Sequence, residues 1–407
     1  MRTLNARLMI YCQDSLGLGH LRRNVNIAHE VARAAPETSV VFVSDSPMSP
    51  FFDLPPNCDF VKLPTVVKVR KGDWEVHRLP HLGAAHVREI RSRLIRDLAD
   101  AFRPDVLLVD HMPHGAAGEL APCLASLRRS HAACRRVLGL RDILGAPVDI
   151  CSKWRDLGAY ELLGEHYDAV LVYGSREVFD VAEAYAFGPE IARRVRYCGY
   201  VAVAPEASCP APDRLSEKFE VPRAQTALVM AGGGHDGFAF MDTVLDAIRW
   251  IGPEIPFNSY VVTGPFMPAE ERHALEQKAR GLPVAVRRFR DDSATLMRAA
   301  DLVVAMAGYN TTCEVLQLAR RAILVPREGP SLEQSMRTER FQQRGWLHAI
   351  HPSALSAPIL GEAMLKELAG PERDAAAAAI DLSGAARAAG HVLELAASAR
   401  RSARASQ

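Results

Sequence analysis

The stretch that decides the fold is Asp301-Leu-Val-Val-Ala-Met-Ala-Gly308-Tyr-Asn310-Thr-Thr-Cys-Glu314-Val-Leu-Gln-Leu-Ala-Arg-Arg-Ala-Ile-Leu-Val-Pro326. Its first residues, Asp301 to Ala305, form a short apolar run of the length and composition of a buried strand. Gly308 marks a turn. Asn310, Thr311 and Thr312 then open a helix, because their side chains suit the amides at a helix start. Ala322 to Val325 is a second short strand, stopped by Pro326. The first amides of a helix have no partner inside it, and a glycine before them lets a ligand come close, so the turn suits an anion. Glu314 follows about one turn later, where it can accept hydrogen bonds from neutral hydroxyls. Diphosphate on the amides and a ribose diol on the acid would describe a nucleotide. An ordinary capped helix with an acidic first turn would show the same residues.

The alternation of strand and helix continues on both sides. Upstream lie Thr226 to Ala231, a helix after Asp236, Ser259 to Thr263, a helix from Ala269 to Arg280, Val284 to Arg288 and a helix from Ser293 to Ala299. Downstream, Glu333 to Arg344 and Ser353 to Leu368 read as helices, and the alanine-rich Asp374 to Ala399 as one or two more. The first half repeats the scheme: strands Arg7 to Cys12, Thr38 to Ser44, Asp59 to Leu63, Pro104 to Asp110, Arg136 to Asp142, Tyr167 to Tyr173 and Arg196 to Val201. Between these strands come helices at Leu21 to Ala34, Ala84 to Phe102 and Gly115 to Ser130, with Pro64 to Pro80 as a loop. Such alternation predicts parallel sheets covered on both faces. Ala, Pro, Glu and Ser dominate from Ala202 to Arg223, as in a linker. The expected architecture is α/β, with Rossmann-like doubly wound domains at 1–202 and 224–370, a linker at 203–223, and terminal helices with a basic tail at 371–407. A cleft is expected between the carboxyl edges of the two sheets.

Composition narrows the function. A chain of 407 residues, 48% hydrophobic and 24% charged, has room for two cores. A net charge of +1 argues against a nucleic-acid partner. The eight cysteines show no paired spacing and read as buried free thiols of a reducing compartment. No apolar run approaches ~18 residues, so a cytoplasmic protein is expected.

Three glycine-bearing turns could carry chemistry. Gly17-Leu-Gly19-His20 and Gly232-Gly233-Gly234-His235-Asp236 each join a strand to a helix, as Gly308 does. Neither is a full dinucleotide fingerprint and there is no phosphate-binding P-loop. His20 is the first candidate for acid–base work, since imidazole titrates near neutral pH. His111, beside Asp110 at a strand end, is the second, and His114 the third. No H-E-x-x-H and no cysteine–histidine spacing suits a metal, so a metal-free site is expected. Asp291-Asp292 before Ser293 is explained by helix capping.

In order and spacing, Phe289-Arg-Asp-Asp-Ser, Ala300-Asp-Leu-Val-Val-Ala, Ala307-Gly308, Cys313-Glu314-Val-Leu, Leu324-Val-Pro326 and Glu333-Gln334 resemble the C-terminal domain of MurG-type GT-B glycosyltransferases. The two other glycine turns resemble that family's remaining loops. The resemblance implies a metal-independent, inverting transfer of sugar from a UDP-sugar, with no other cofactor, to an acceptor hydroxyl. It implies that Glu314 holds the ribose, that Gly308, Tyr309, Asn310 and Thr311 lie along the diphosphate, and that Gly232, Gly233 and Gly234 flank it. Phe289 and Arg290 would frame the uracil, Glu333 and Gln334 would read the donor sugar, and Gly17 and Gly19 would approach ligand beside His20. His20 would be the base, with assistance from Asp110 and His111. The chain departs from the family pattern at His235-Asp236 and at Gly329-Pro330-Ser331-Leu332, which bear on the donor sugar. An epimerase or hydrolase of nucleotide sugars, or a non-catalytic binder, would share these features. Val66, Val67, Val69 and Trp74 among basic residues in Thr65 to His81 suggest a peripheral contact with the inner face of a membrane.

Overall fold

Every strand of the two large sheets runs parallel to its neighbours. The structure, a computed structural model, describes residues 5–15, 18–70, 73–79, 81–202, 215, 219, 221–288, 293–319, 321–329, 331–372 and 380–405. Gly17, Phe289 and Arg290 therefore lie outside the described residues, as does most of the expected linker.

In the first unit, β1 (Arg7–Cys12), α1 (Gly19–Ala34), β2 (Ser39–Ser44) and β3 (Cys58–Lys62) are followed by a hairpin, β4 (Val66–Arg70) with β5 (Asp73–Val76). Then come α2 (Ala84–Phe102), β6 (Val106–Asp110), α3 (Ala121–Ser130), β7 (Arg135–Arg141), α4 (Pro147–Asp156), α5 (Ala159–His166), β8 (Ala169–Tyr173), α6 (Val181–Ala184), α7 (Pro189–Ala192) and β9 (Val195–Tyr197). The sheet order is β3-β2-β1-β6-β7-β8-β9. Strands β6 and β8 are buried throughout their length, as expected where helices cover both faces. The chain works outward from β1 to β3, then returns to β1 and continues the other way. Neighbouring loops thus diverge at the carboxyl ends of β1 and β6, the place where α/β sheets bind ligands.

The second unit repeats this pattern. It holds β10 (Gln225–Met230), α8 (Phe238–Ile251), β11 (Phe257–Val262), α9 (Ala269–Lys278), β12 (Val284–Arg287), α10 (Ser293–Ala299), β13 (Leu302–Met306), α11 (Tyr309–Leu318), β14 (Ala322–Val325), α12 (Glu333–Gln343), β15 (His348–Ala349) and α13 (Ala357–Ala369). Its order is β12-β11-β10-β13-β14-β15, so the switch falls between β10 and β13. The Gly232 turn follows β10 and Gly308 follows β13.

The last helix, α14 (Gly384–Ala405), does not stand apart as the sequence suggested for 371–407. Asp381–Gln407 group with Met1–Ala204, and Pro205–Ile380 form the other unit. Ala388, Ala389, Val392, Ala396 and Ala399 make a stripe at helical spacing, all buried. That stripe packs against α1 and the β6–β8 region, which explains the return of the chain.

Two local expectations are corrected. The helix expected from Gly115 begins only at Ala121, because Gly115 and Gly118 have φ of 81° and 83° and break any earlier start. The expected loop at Pro64 to Pro80 contains the β4–β5 hairpin, and Val66 and Trp74 pack with Val87, Ala116 and Met112 instead of facing outward. No helix among the described residues is long and apolar enough to cross a membrane.

Candidate active site

The first cluster is built at the β1–β6 switch. After β1 the chain reaches Asp14, whose carboxylate accepts the backbone amides of His20, at 2.8 Å, and of Leu21. Asp14 therefore caps α1, and two amides that the glycine turn was expected to offer a ligand are occupied. The turn instead aims His20 from the first turn of α1 towards β6. There His20 Nδ1 is hydrogen-bonded to Asp110 Oδ2, with the carboxylate fully buried and the imidazole 19% exposed. The carboxylate can only accept, so Nδ1 carries the proton and Nε2 is left with a lone pair.

Arg23, one turn along α1 and itself 1% exposed, donates through Nη2 to both oxygens of Asp110, at 2.7 and 2.8 Å. Its guanidinium also lies over the Tyr173 ring, 5.3 Å from the centroid. Burial by itself would raise the Asp110 carboxyl, but Arg23 and His20 outweigh it and hold the group well below the usual carboxylate range. Asp110 thus stays ionised and fixed in one rotamer, the two properties a partner of a histidine base needs.

His111 does not bond to Asp110. Its ring lies 5.1 Å from that of His20, tilted by 42°. Its φ is 69°, in a turn closed by Met112 N to Asp110 O at 2.9 Å, a conformation that costs of order 1–3 kcal/mol outside glycine. Burial, then Arg141 and His20, lower its pKa well below the ordinary histidine value. His114 stays apart from this cluster; its carbonyl accepts Leu120 N at 3.0 Å.

A buried ionic frame supports the turn, and no sequence motif announced it. Arg91 of α2, fully buried, donates through Nε to Glu119 Oε1 at 3.0 Å and through Nη2 to Gln13 Oε1 at 2.7 Å. Tyr11 donates its hydroxyl to the same Glu119 oxygen at 2.7 Å. Asp45 Oδ1 accepts Asp14 N and Ser15 N, each at 3.2 Å, and Asp45 Oδ2 accepts Arg91 Nη1 at 3.3 Å. Residues 11 to 15 are thereby tied to β2, α2 and the β6–α3 loop. The separations of 28 to 108 residues along the chain explain why no local pattern revealed the frame.

The second cluster surrounds the β10–β13 switch. Gly234 has φ of 86°, and a Cβ there would meet Thr263 O at 2.0 Å, so this glycine is required by the fold. Gly232, φ 62°, is likewise left-handed, and Gly233 O accepts Phe266 N at 2.9 Å. Gly308 is different. Its φ of −61° and ψ of 152° are open to any residue, and the nearest atom to an added Cβ is Thr311 Oγ1 at 3.9 Å. Neither its backbone angles nor the described residues around it demand glycine at 308.

Around this turn, Glu314 is 2% exposed on α11. Glu333 accepts Arg337 Nη2 at 2.8 Å, and the fully buried Arg337 guanidinium lies 5.2 Å from the centre of the Tyr309 ring. Gln334 Oε1 accepts Arg327 N at 2.8 Å, while the Arg327 side chain pairs with Asp236 in the glycine loop after β10. Arg337 and Arg327 were missed from the sequence; the i, i+4 spacing of Glu333 and Arg337 was the one available signal. Among the described residues no group of three or more His, Cys, Asp and Glu could hold a metal.

Two parallel, doubly wound domains, each with glycine turns at its switch point, define the GT-B class of glycosyltransferases. Solved structures of similar fold include MurG of Acinetobacter baumannii (13% identity, TM-score 0.57, covering 96% of this chain and 99% of that one). A UDP-glucosyltransferase of Polygonum tinctorium is similar as well (14%, TM-score 0.59, 98% and 100%). So is a putative UDP-N-acetylglucosamine 2-epimerase of Listeria monocytogenes (14%, TM-score 0.60, 95% of each). No curated protein sequence matches the chain. Residues 227–392 match the glycosyltransferase family 28 C-terminal domain.

Proposed function

We propose that the protein transfers a sugar from a UDP-sugar to an acceptor hydroxyl, with inversion, without metal, and with His20 as the base. The observation that carries this reading is the His20–Asp110–Arg23 arrangement at the β1–β6 switch. His20 Nε2 takes the proton of the acceptor hydroxyl as its oxygen attacks the anomeric carbon. The bond from that carbon to the diphosphate breaks, and UDP leaves with the electron pair. Asp110 steadies the imidazolium that forms, and Arg23 keeps Asp110 ionised.

On the donor side, Gly308 supports a diphosphate beside the amides of Tyr309, Asn310 and Thr311, because neither its backbone angles nor the described residues around it require a glycine there. Gly232 to Gly234 flank it. Glu314 takes the ribose hydroxyls, and Glu333 and Gln334 read the sugar from positions already fixed by Arg337 and Arg327. The similar fold of the Polygonum UDP-glucosyltransferase supports a UDP-linked donor.

The test is thermal unfolding against UDP, GDP, dTDP and their sugars, followed by UDP release with a panel of alcohols. His20→Ala should lower kcat by roughly 10²–10⁴-fold with UDP affinity unchanged. Glu314→Ala should weaken UDP by about 1.5–3 kcal/mol, and unaltered binding would remove the ribose assignment. The Listeria relative motivates one rival, an epimerase. Epimerised donor in the absence of any acceptor would establish that rival.

A further inference from the structure

Beside the proposed base sits a second imidazole that the transfer step leaves unused. His111 ends β6 immediately after Asp110, with its ring 5.1 Å from that of His20. Its Nδ1 is buried and has no hydrogen-bond partner among the described residues. Buried polar atoms are satisfied in the great majority of cases, and unsatisfied ones mark places where something outside the fold is served. The residue as a whole is only half-buried. Its left-handed backbone, φ 69°, is uncommon outside glycine, and strain of this kind gathers at binding and catalytic sites.

The charged and titratable groups facing it are Arg141 from β7, His20 and Arg23 from α1, and Asp110 from β6. Burial, then Arg141 and His20, hold this imidazole well below the ordinary histidine range, whereas His20 itself is hydrogen-bonded to a carboxylate. Two touching rings thus have separate chemistry: one takes a proton, the other can only form a hydrogen bond.

We propose that His111 is an acceptor-binding residue, which hydrogen-bonds the acceptor through Nε2 and aims its hydroxyl at His20. This assignment rests on the reading of His20 as base. It separates two reactions of one site. Attack by a bound alcohol needs His111, whereas attack by water, which needs no aiming, does not.

The full chain, His111→Gly, His111→Asn and His20→Ala are compared with UDP-glucose and UDP-N-acetylglucosamine as donors. The two acceptors are water, read as donor hydrolysis, and 4-methylumbelliferone. His111→Gly is expected to raise the acceptor KM about tenfold, the scale of one lost hydrogen bond, and to lower transfer relative to hydrolysis by a similar factor, with the pH dependence of kcat unchanged. His111→Asn tolerates the left-handed backbone and keeps a donor, so it should regain part of the acceptor affinity. Hydrolysis falling together with transfer would make His111 a prop for His20 and overturn the assignment; so would transfer that survives His111→Gly. Should the melting temperature show that glycine loosens the turn, His111→Ala replaces it under the same criteria. Hydrolysis that persists in His20→Ala overturns the base reading, whatever the His111 variants do. No turnover of either donor by the unaltered protein overturns both.

Discussion

At the scale of single residues, the pairing of side chains carries the chemistry. Asp110 serves His20 and not the adjacent His111, which follows β6 in a left-handed turn with φ of 69°. The neutral state of His111 has a consequence for stability. Its folded pKa lies below the ordinary value of about 6.5, so below that pH the unfolded chain binds a proton that the folded chain refuses. Stability contributed by neutral His111 is complete above about pH 6.5 and is lost as pH falls towards the lowered value, at up to ~1.4 kcal/mol per pH unit. His114 and His166, also lowered by burial, act in the same direction. Urea unfolding at pH 7.5 and pH 5 should therefore show a smaller loss for His111→Asn than for the unaltered chain. Equal losses would mean that His111 is not held neutral.

At the scale of elements, two helix starts that look alike in sequence do different work. The start of α1 is closed by Asp14 and serves to aim a side chain; that of α11 follows a glycine whose backbone angles any residue could adopt. The glycines separate in the same way. Gly234→Ala should destabilise the second unit by more than about 2 kcal/mol, since a Cβ collides with Thr263 O and the backbone is left-handed. Gly308→Ala should unfold at the same urea concentration as the unaltered chain, yet bind UDP at least tenfold more weakly if the diphosphate lies along this turn, about 1.4 kcal/mol. Retained affinity in that variant would remove Gly308 from the donor site.

At the scale of the whole molecule, the chain leaves its first unit at Ala204 and returns to it at Asp381. Deleting 381–407 should expose the face of α1 that α14 covers. The first unit should lose on the order of 3 kcal/mol or more, from the buried Val392 and the alanines beside it. The test is calorimetry: a transition assigned to the second unit, recognised by its rise with UDP, should remain while the other moves down or disappears. An unchanged profile would mean that α14 is dispensable.

Much of this was written locally. Strand and helix alternation, with glycines after β1, β10 and β13, depends on neighbouring residues, so α2 and β14 were read with their observed bounds and most other elements within a few residues. Helices α4 to α7 escaped because three of them span eight residues or fewer, too short for periodicity to show. The sequence by itself determined the fold class, the glycine turns and His20 as a candidate base. Only tertiary structure decided that His20 bonds to Asp110, that Arg23 shares that carboxylate, that Arg91 and Glu119 hold the turn, and that the last helix rejoins the first domain. The physical reason is distance along the chain: propensity and periodicity act over a few residues, whereas His20 and Asp110 are 90 apart and meet only once the sheet has set its strand order.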